Sequence, residues 1–534
     1  MMKKIVLIVS LCIGALTIHA QSIYDAAKII DKDFSGSARF VGMGGAMGAL
    51  GGDLSTMRTN PAGIGIYRSN DAAATIGFTS MELDANYIGN KDNHEKNRFS
   101  FDNIGFVFST KMGDYTALRY LNFGFNYQRG KSFYKNMSMG GLLNRGPNDE
   151  FISQTFMMAQ QAEEMGVAGI NTDTPFEDDR LGWLGALGYY GGLVHDFGED
   201  GYGVGNFDTP NSEFYSKESG GIDQYDFNVA LNLNDRFYLG LTIGAYDVNY
   251  KKYSIYDEDL GGANEDGTNS QYSQLQSFNR ISGSGFDFKL GAIVRPFEYS
   301  PLRIGMAIHS PTFYKLTLET SSILSTGVWQ QVGVEGEEIT EEFKEYDIDT
   351  FNEETSWGGN MGNMLRDYDF RTPWVYNLSL GYTVGSQLAL GAEYEYKDYS
   401  SLRFTHPDGG RLAETAQREQ LKGVNAIRLG AEFRPISEFA FRIGYNFNSA
   451  IFKENAAKVL PVNSISTDTD FSNSKSSNIY TIGMGYSGKR IYADLAYMYR
   501  TAKESFKPFN DSDLSYTDVK DNRSKVFLTM GVRF

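Results

Sequence analysis

The chain has 534 residues, a formal net charge of −17 and a single cysteine, Cys12. This acidic balance gives no electrostatic basis for binding nucleic acid. One cysteine excludes an internal disulfide and a metal site built from several thiolates. Aromatic residues and glycine are abundant instead, with 37 Phe, 34 Tyr and 59 Gly.

Residues 1–20 are predicted to form a secretory signal peptide. Lys3 and Lys4 give a basic start, an apolar stretch follows from Ile5 to Thr17, and Ala20 is a small residue at a plausible cleavage position. The apolar stretch is too short for a transmembrane helix, and no later run reaches the roughly 18 apolar residues that a helical span needs. We therefore expect an exported protein whose mature chain contains no cysteine.

Residues 21–71 contain a glycine-rich segment, FVGMGGAMGALGG, followed by DLSTMRTNPAGIGIY. The glycines could suggest a dinucleotide-binding loop, but the strand before it and the helix after it, which that loop requires, are both missing from the pattern. The segment shows neither strand alternation nor an amphipathic helical stripe. Its role has to be inferred from the chain that follows.

From residue 72 onward the hydrophobic pattern has a period of two, as in LALGAEYEYK, FAFRIGYNF and RIYADLAYMYR. Apolar residues alternate with polar ones, and short turns alternate with long loops, which is typical of outer-membrane β-barrels. The sequence therefore predicts an all-β fold, a 14-stranded antiparallel transmembrane β-barrel over residues 72–534. The predicted strands are 72–89, 97–111, 116–133, 223–233, 236–256, 279–296, 301–318, 371–384, 387–403, 422–434, 438–452, 476–487, 490–502 and 523–534.

The longest predicted extracellular loops are 134–222 and 319–370. The first contains two helix-like stretches, and Asn148 or Asp149 is predicted to cap the first of them. Flexible Met and rigid aromatic side chains suit the capture of apolar ligands. The alternative, that the two helices only pack together over the barrel mouth, stays open. The candidate ligand-binding residues are Phe156, Met157, Trp183, Leu184 and Leu187.

Glycine recurs at inward-facing positions near the predicted periplasmic turns. Glycine removes side-chain bulk where another backbone approaches closely, so we expect the N-terminal segment to pack there, inside the barrel. The alternative is that glycine relieves the curvature of a closed sheet. The residues are Gly240, Gly291, Gly305, Gly381, Gly391, Gly430, Gly444, Gly483 and Gly531.

The last strand, KVFLTMGVRF, ends on the aromatic residue Phe534. A terminal aromatic on an alternating strand resembles the assembly signal of bacterial outer-membrane barrels. We therefore expect location in the bacterial outer membrane. The expected partners there are the barrel-assembly machinery, outer-membrane lipid and lipopolysaccharide.

The stretch FSGSARF, with GMGGAMGALGGDLSTMRTNPAG after it, resembles the N-terminal hatch of the FadL/TodX family of outer-membrane transporters. The resemblance implies that Asn60, Pro61, Ala62 and Gly63 belong to a hatch, residues 21–71, inside a fourteen-stranded barrel. It also implies passive, hatch-gated uptake of a hydrophobic small molecule, a long-chain fatty acid or an aromatic hydrocarbon. In that family the ligand leaves sideways at a kinked third strand.

The third predicted strand, ALRYLNFGFNYQRGKSFY, contains Gly124 and Gly130. Glycine permits a strand to bend or part from its neighbour. These two residues are the candidates for the lateral opening that the resemblance implies.

Three alternative functions make different demands on the sequence. A haem-binding receptor would use His195 or His309 as an iron ligand, and a structural or adhesive barrel would need no hatch. An enzyme would need a triad or metal site, and no such motif is found in the sequence. We expect no catalytic residue, no metal and no cofactor.

Overall fold

The computed structural model describes residues 23–534 except 148, 150, 166–174, 179, 197–201, 205–210, 263–268, 333–339, 351–362, 411–418, 455, 457–459, 461 and 469. Most described residues belong to one antiparallel sheet. The first strand pairs with the second strand on one side and with the last strand on the other, which closes the sheet into a barrel. Among the described residues, no helix is both long enough and apolar enough to cross a membrane.

Fourteen passes of the chain form the wall, as predicted. Four passes are interrupted: between residues 132 and 135, around Pro311, around Pro373, and at a 3₁₀ helix, Tyr399–Ser401. At the two prolines the interruption follows from the missing backbone donor. The strands are β1 Asp71–Tyr87, β2 Asn90–Lys111, β3 Leu118–Ser132, β4 Lys135–Leu142, β5 Val194–Asp196, β6 Tyr202–Val204, β7 Asn211–Leu233, β8 Phe237–Gly261, β9 Gln271–Val294, β10 Arg303–His309, β11 Phe313–Val332, β12 Thr340–Asp349, β13 Met364–Arg371, β14 Val375–Val384, β15 Leu388–Asp398, β16 Arg403–Thr405, β17 Gly423–Ile436, β18 Phe439–Asn448, β19 Asn473–Ser487, β20 Ile491–Phe506 and β21 Thr517–Arg533.

The wall is apolar outside and small or polar inside. On β8, Phe237, Leu239, Leu241 and Ile243 are all more than 40 % exposed, while the residues between them point into the barrel. Burying these side chains in lipid is favourable because it removes apolar surface from water. The outward apolar band is therefore the membrane-facing surface.

Several strands extend beyond the predicted limits. β7 begins at Asn211 rather than at 223, and β9 begins at Gln271 rather than at 279. Outside the apolar band, the outward positions of these strands are occupied by polar residues such as Glu213 and Lys217. The alternation that identifies a membrane strand is lost there, so the sequence pattern underestimates the height of the wall.

The N-terminal segment fills the lower lumen. It contains α1 Ile23–Ile30, α2 Ala38–Gly42, α3 Thr56–Thr59 and a 3₁₀ helix, Pro61–Ile66. Most of residues 26–66, which we call the plug, are buried inside the barrel.

Eight of the nine predicted inward glycines lie directly against the plug. An added Cβ would meet plug atoms at each of these positions, whereas at Gly531 it would meet the ring of Tyr492 on the neighbouring strand. The glycines therefore leave room for the plug to approach the wall backbone closely, and the curvature of the sheet alone does not explain them. The contacts join Gly240 to Pro61, Gly291 to Asn60, Gly305 to Gly48, Gly381 to Leu50, Gly391 to Ala46, Gly430 to Met43, Gly444 to Gly44 and Gly483 to Gly42.

Two helices, α4 Gln154–Met165 and α5 Trp183–Tyr190, lie over the outer mouth. The predicted cap of α4 was wrong: Asp149 lies outside the helix, and Asn148 is not among the described residues. The buried carboxylate of Glu258 on β8 takes that role, accepting from the backbone N–H of Gln154 at 3.0 Å and from the Ser153 hydroxyl at 2.6 Å. A wall residue remote in sequence thus holds the start of α4.

Replacing Gly444 by alanine tests the seat of the plug. The new Cβ would clash with the backbone of Gly44, so we expect the plug to shift and the ion conductance of the barrel in planar bilayers to rise. Gly140→Ala on β4 is the matched control, because its Cβ would meet only ordinary contacts at 3.4 Å or more. Equal, low conductance for both variants would show that the plug does not depend on this contact.

Candidate functional site

Asn60 organises the part of the plug that faces the wall. Its side-chain oxygen accepts from the backbone N–H of Ala62 at 3.2 Å and so caps the 3₁₀ helix that starts at Pro61. Its amide nitrogen donates to the carbonyl oxygens of Gly48 at 2.8 Å and of Ala292 on β9 at 3.3 Å. One buried side chain thereby joins two plug segments to the barrel.

Gly63 permits the plug to fold back on itself. A Cβ there would lie 2.6 Å from the Thr56 hydroxyl and 3.2 Å from the Gly51 Cα. The carbonyl of Gly63 accepts from the backbone N–H of Gly52 at 2.9 Å. The predicted hatch residues Asn60, Pro61, Ala62 and Gly63 are therefore brought together where the plug meets β8 and β9, and all four are buried.

A cavity of about 170 Å³ lies between the plug and the barrel wall. Ion pairs line its walls: Lys289 with Asp226 and Asp287, each at 2.9 Å, and Lys397 with Glu395 at 2.6 Å. Pairing offsets the cost of placing these charges inside the barrel. The cavity is a polar layer in the middle of the lumen.

The plug contributes two cations to this layer, and neither forms a salt bridge among the described residues. Lys32 donates to the Tyr246 hydroxyl at 3.2 Å, and burial lowers the pKa of Lys32 to about 7 despite the nearby Asp287 carboxylate. Arg58 donates to the carbonyl of Asp33 at 3.0 Å, and its second terminal nitrogen is buried without a partner.

Above the polar layer the lumen is aromatic. Tyr246, Tyr314, Phe370 and Phe404 form a chain of ring contacts, with centroids 5.0–6.0 Å apart. Helix α1 inserts Ala26, Ala27, Ile29 and Ile30 into the same buried cluster. We call this group the lumenal apolar cluster, and α1 occupies its centre.

The loop between β18 and β19 folds into the lumen and meets α1. Lys252 on β8, fully buried, pairs with Asp468 and Asp470 of this loop, each at 2.7 Å. Asp470 also pairs with Lys28 of α1 at 3.0 Å. Burial opposes protonation of Lys28, but the neighbouring Asp470, Tyr250 and Glu218 hold its pKa above the usual value. These ion pairs join the plug, the loop and the wall. Because the paired residues lie far apart in the sequence, no sequence motif predicts them.

The wall is broken between β2 and β3. Their ladder runs from Lys111, opposite Tyr120, to Asn103, opposite Gln128, and stops there. Beyond that point, toward the turn between β1 and β2, β2 remains paired with β1 alone. The β1–β2 register shifts there between Thr75 and Ile76, beside Asp102 on β2. Side chains replace the ladder across the gap: His94 to Ser138 at 2.8 Å, Lys96 to Asn136 at 3.0 Å and Arg98 to Ser132 at 3.3 Å.

A side cavity of about 70 Å³ lies behind this break. Ser100, Asp102 and Ser132 line it at the wall, and Asp33, Phe34 and Ser35 line it at the plug. Asp33–Ser35 also border the central cavity. Three plug residues thus lie between the central cavity and the break in the wall ladder.

Gly130 and Gly124 have different surroundings. Gly130 sits at an irregularity of the β3–β7 ladder, two residues beyond the last pairing of β3 with β2. Gly124 is paired on both sides, with Val107 and Asn228, and a Cβ there would run into the side chain of Met57. The structure places the break at Gly130 and a plug contact at Gly124.

The predicted ligand-binding residues separate into two groups. Phe156 is 43 % exposed on α4, whereas Trp183, Leu184 and Leu187 are essentially fully buried. Trp183 belongs to the lumenal apolar cluster. Met157, Leu184 and Leu187 pack in a second buried cluster, which joins α4 and α5 to wall residues such as Leu324. Helix α5 therefore reaches the lumen through Trp183.

The two candidate histidines are not brought together. His309 faces the plug, where its Nε2 lies 2.8 Å from the carbonyl oxygen of Thr59. His195 belongs to the β5–β6 hairpin beyond the barrel wall. Among the described residues, no group of three or more His, Cys, Asp or Glu is arranged to hold a metal ion.

These features define a transmembrane β-barrel with a plugged lumen and a break in the β2–β3 ladder. No family model matches the chain, and no curated protein matches it. A solved FadL homologue from Pseudomonas aeruginosa matches with a TM-score of 0.50 at 13 % identity, over 94 % of this chain and 99 % of that chain. The chain thus has the FadL-type outer-membrane channel fold.

Two further solved structures resemble the chain more weakly. The Pseudomonas putida toluene transporter TodX has a TM-score of 0.45 at 10 % identity, over 94 % of this chain and 99 % of its own. The Ralstonia pickettii toluene transporter TbuX has a TM-score of 0.43 at 14 % identity, over 95 % of this chain and 100 % of its own. The fold assignment depends on the first structure alone.

Replacing Asn60 by alanine removes the cap and both amide hydrogen bonds. Loss of a cap alone costs about 1 kcal/mol, so we expect faster amide hydrogen exchange over residues 44–66 with unchanged exchange in the wall strands. Asn97→Ala is the control, because Asn97 is exposed on β2. Equal exchange in both variants would contradict the assigned role of Asn60.

Proposed function

We propose that the protein belongs to the FadL/TodX family and admits hydrophobic small molecules, of the long-chain fatty-acid type, through the outer membrane. The movement is passive, the plug gates it, and the ligand leaves sideways. The observation that carries this proposal is the side cavity, which runs from the plug to a break in the wall ladder. A pore for polar solutes would need neither.

The arrangement suits an oily ligand for a physical reason. An apolar molecule gains nothing by entering water, so a route that ends in the membrane avoids the cost of hydration. The lumenal apolar cluster offers such a molecule a first apolar site. The plug closes the direct path below it, which leaves the wall break as the exit that stays in contact with hydrocarbon.

The plug contacts argue against simple removal of the plug. Arg39 pairs with Glu432 at 3.2 Å, and Arg523 lies 3.6 Å from Asp33. Eight glycine contacts add to these on the wall. A local shift near Asp33–Ser35 breaks far fewer contacts than release of the whole segment, so gating is assigned to that stretch.

Haem uptake is the alternative raised by the histidines, and the geometry does not favour it. The ring of His309 is engaged with the Thr59 carbonyl of the plug. An absorbance and mass-spectrometric survey of molecules that co-purify with the protein separates the two functions. Fatty acids or similar lipids support the proposal, whereas stoichiometric haem with a Soret band overturns it.

Bridging the wall break tests the exit. Arg98→Cys and Ser132→Cys, joined by a short bifunctional thiosulfonate, should reduce palmitate uptake by Gram-negative cells that lack their own fatty-acid channel. A reductant should restore it, because the bridge is then cleaved. The control pair is Asp84→Cys with Asn93→Cys, which lie opposite each other on the intact β1–β2 ladder. Unchanged uptake with the bridged Arg98 pair would place the exit elsewhere.

Alanine at Trp183 and at Phe156 distinguishes passage through the lumen from capture on the surface. Trp183 contacts the lumenal apolar cluster and Phe156 faces outward. We expect Trp183→Ala to change the palmitate dependence of uptake and Phe156→Ala to have little effect. The opposite ranking in the same uptake assay would assign capture to the exposed face of α4.

A further inference from the structure

Two aromatic rings lie across the wall break on its membrane-facing side. Phe101 is the first outward residue of β2 beyond the last ladder pair, Asn103 with Gln128, and no described residue of β3 pairs with it in the ladder. Its ring stacks on the ring of Tyr127 of β3, with centroids 5.8 Å apart and an interplanar angle of 19°. Phe101 is 43 % exposed on the outward face. The stack therefore faces lipid and joins β2 to β3 where their backbones separate.

The hydroxyl of Tyr127 holds this ring against β7. It donates to the carboxylate of Asp223 at 2.8 Å, and Arg129 pairs with the same carboxylate at 2.7 Å. Arg129 and Asp223 lie opposite each other on the β3–β7 ladder, one outward position beyond Tyr127. The ring of Tyr127 also lies 5.4 Å from that of Tyr225 on β7. Tyr127 is thus anchored, whereas Phe101 belongs to a strand whose ladder beyond the break is formed with β1 alone.

Aromatic contacts elsewhere on the outer surface have a different setting. Phe439 and Tyr486 are each nearly half exposed, and their rings are 5.4 Å apart. They lie directly opposite each other on the β18–β19 ladder, so hydrogen-bonded backbone closes the wall beneath them. At Phe101 the β2–β3 ladder has ended. Its contact with Tyr127 therefore covers a place that backbone hydrogen bonds do not close.

The side cavity lies behind this stack. Ser100 and Asp102, the sequence neighbours of Phe101, both line the cavity. Because successive side chains of a strand point to opposite faces, the ring of Phe101 lies on the membrane side of the same backbone. An unpaired backbone edge is costly in contact with hydrocarbon. A cover of apolar rings at this point therefore stabilises the closed wall.

We propose that Phe101 and Tyr127 form a gate on the membrane side of the wall break. The stacked rings separate the side cavity from lipid, and a ligand that leaves through the break has to part them. Phe101 is the half that moves, because Asp223 and β7 hold Tyr127. Its movement breaks an aromatic contact but no side-chain hydrogen bond or ion pair, so an apolar ligand can open it without exposing a charge to hydrocarbon. This inference rests on the proposed function and deepens it by naming the residues that control the exit.

The test measures whether the stack shields the side cavity from the membrane. Ser100→Cys places a thiol at the cavity, and the only native cysteine, Cys12, lies in the predicted signal peptide. The full-length protein is reconstituted in phosphatidylcholine vesicles and labelled with octyl methanethiosulfonate, which dissolves in the membrane. Adding Phe101→Ala should raise the labelling rate by about two- to tenfold, the scale expected for losing one aromatic contact. The matched control adds Phe439→Ala instead and should label as Ser100→Cys alone does.

A milder variant guards against general disruption of the wall. Tyr127→Phe in the Ser100→Cys background keeps the ring and removes the hydrogen bond to Asp223, so it should raise labelling by a smaller factor than Phe101→Ala. Equal labelling of the Phe101 and Phe439 variants would overturn the proposal. An equal rise with a charged, water-soluble thiosulfonate would also overturn it, since that reagent enters from the lumen.

Palmitate uptake by cells that lack their own fatty-acid channel is measured separately for the wild type and for Phe101→Ala. Faster uptake by Phe101→Ala is the expected result. Unchanged uptake in a variant whose labelling rises would show that the ligand does not pass between the rings and would overturn the gate. Absent uptake by the wild type together with stack-dependent labelling would refute the transport function alone, whereas normal uptake with unchanged labelling would refute the gate alone.

Discussion

The structure depends on one constraint: a backbone surrounded by hydrocarbon has to satisfy its own hydrogen bonds. The chain meets it by closing the sheet, with β1 paired to both β2 and β21. The break between β2 and β3 is the place where the wall departs from this constraint. The β2–β3 ladder is intact over the stretch whose outward residues include Phe106 and Phe123, and it ends at Asn103. The next outward residues of β2, Phe101 and Phe99, are still exposed aromatics, so the break begins within the apolar band and side chains bridge it there.

Closing the sheet creates a lumen. The plug can fill it only where the inward positions of the wall carry no bulky side chains. The plug approaches the wall backbone to backbone, as where Gly44 lies on Gly444 and Met43 on Gly430. Alanine has no room at these contacts. The period-two pattern therefore has two structural consequences on alternate residues of the same strands. The outward positions present apolar side chains to the lipid, and the inward positions include the glycines against which the plug packs.

This explains which features the sequence could predict. The barrel class, the strand number and the inward glycines can be predicted from the local alternation of apolar and polar residues, and the structure confirms them. The location of Asn60 and Pro61 inside the barrel follows from the same glycines together with the family resemblance. The upper parts of β7 and β9 were missed, because polar residues occupy both faces there and leave no period to detect.

Contacts between remote residues were beyond sequence reasoning for a different reason. Lys28, Lys252 and Asp470 meet only because the barrel is closed and the β18–β19 loop folds inward. The same holds for Glu258, which caps α4 from across the mouth. In the sequence alone, a buried charge with a remote partner cannot be distinguished from a solvated charge. No motif therefore identifies these positions.

The cavity sizes bear on how a ligand would pass. Sites for small organic molecules generally enclose about 300–1,000 Å³, whereas the central and side cavities measure about 170 and 70 Å³. Helix α1 occupies the lumenal apolar cluster with Ile29 and Ile30, the part of the lumen best suited to an apolar chain. Lys28 of α1 pairs with Asp470, which also pairs with Lys252 of the wall. Under the proposed function, a ligand that bound in this cluster would have to compete with α1 and with these ion pairs.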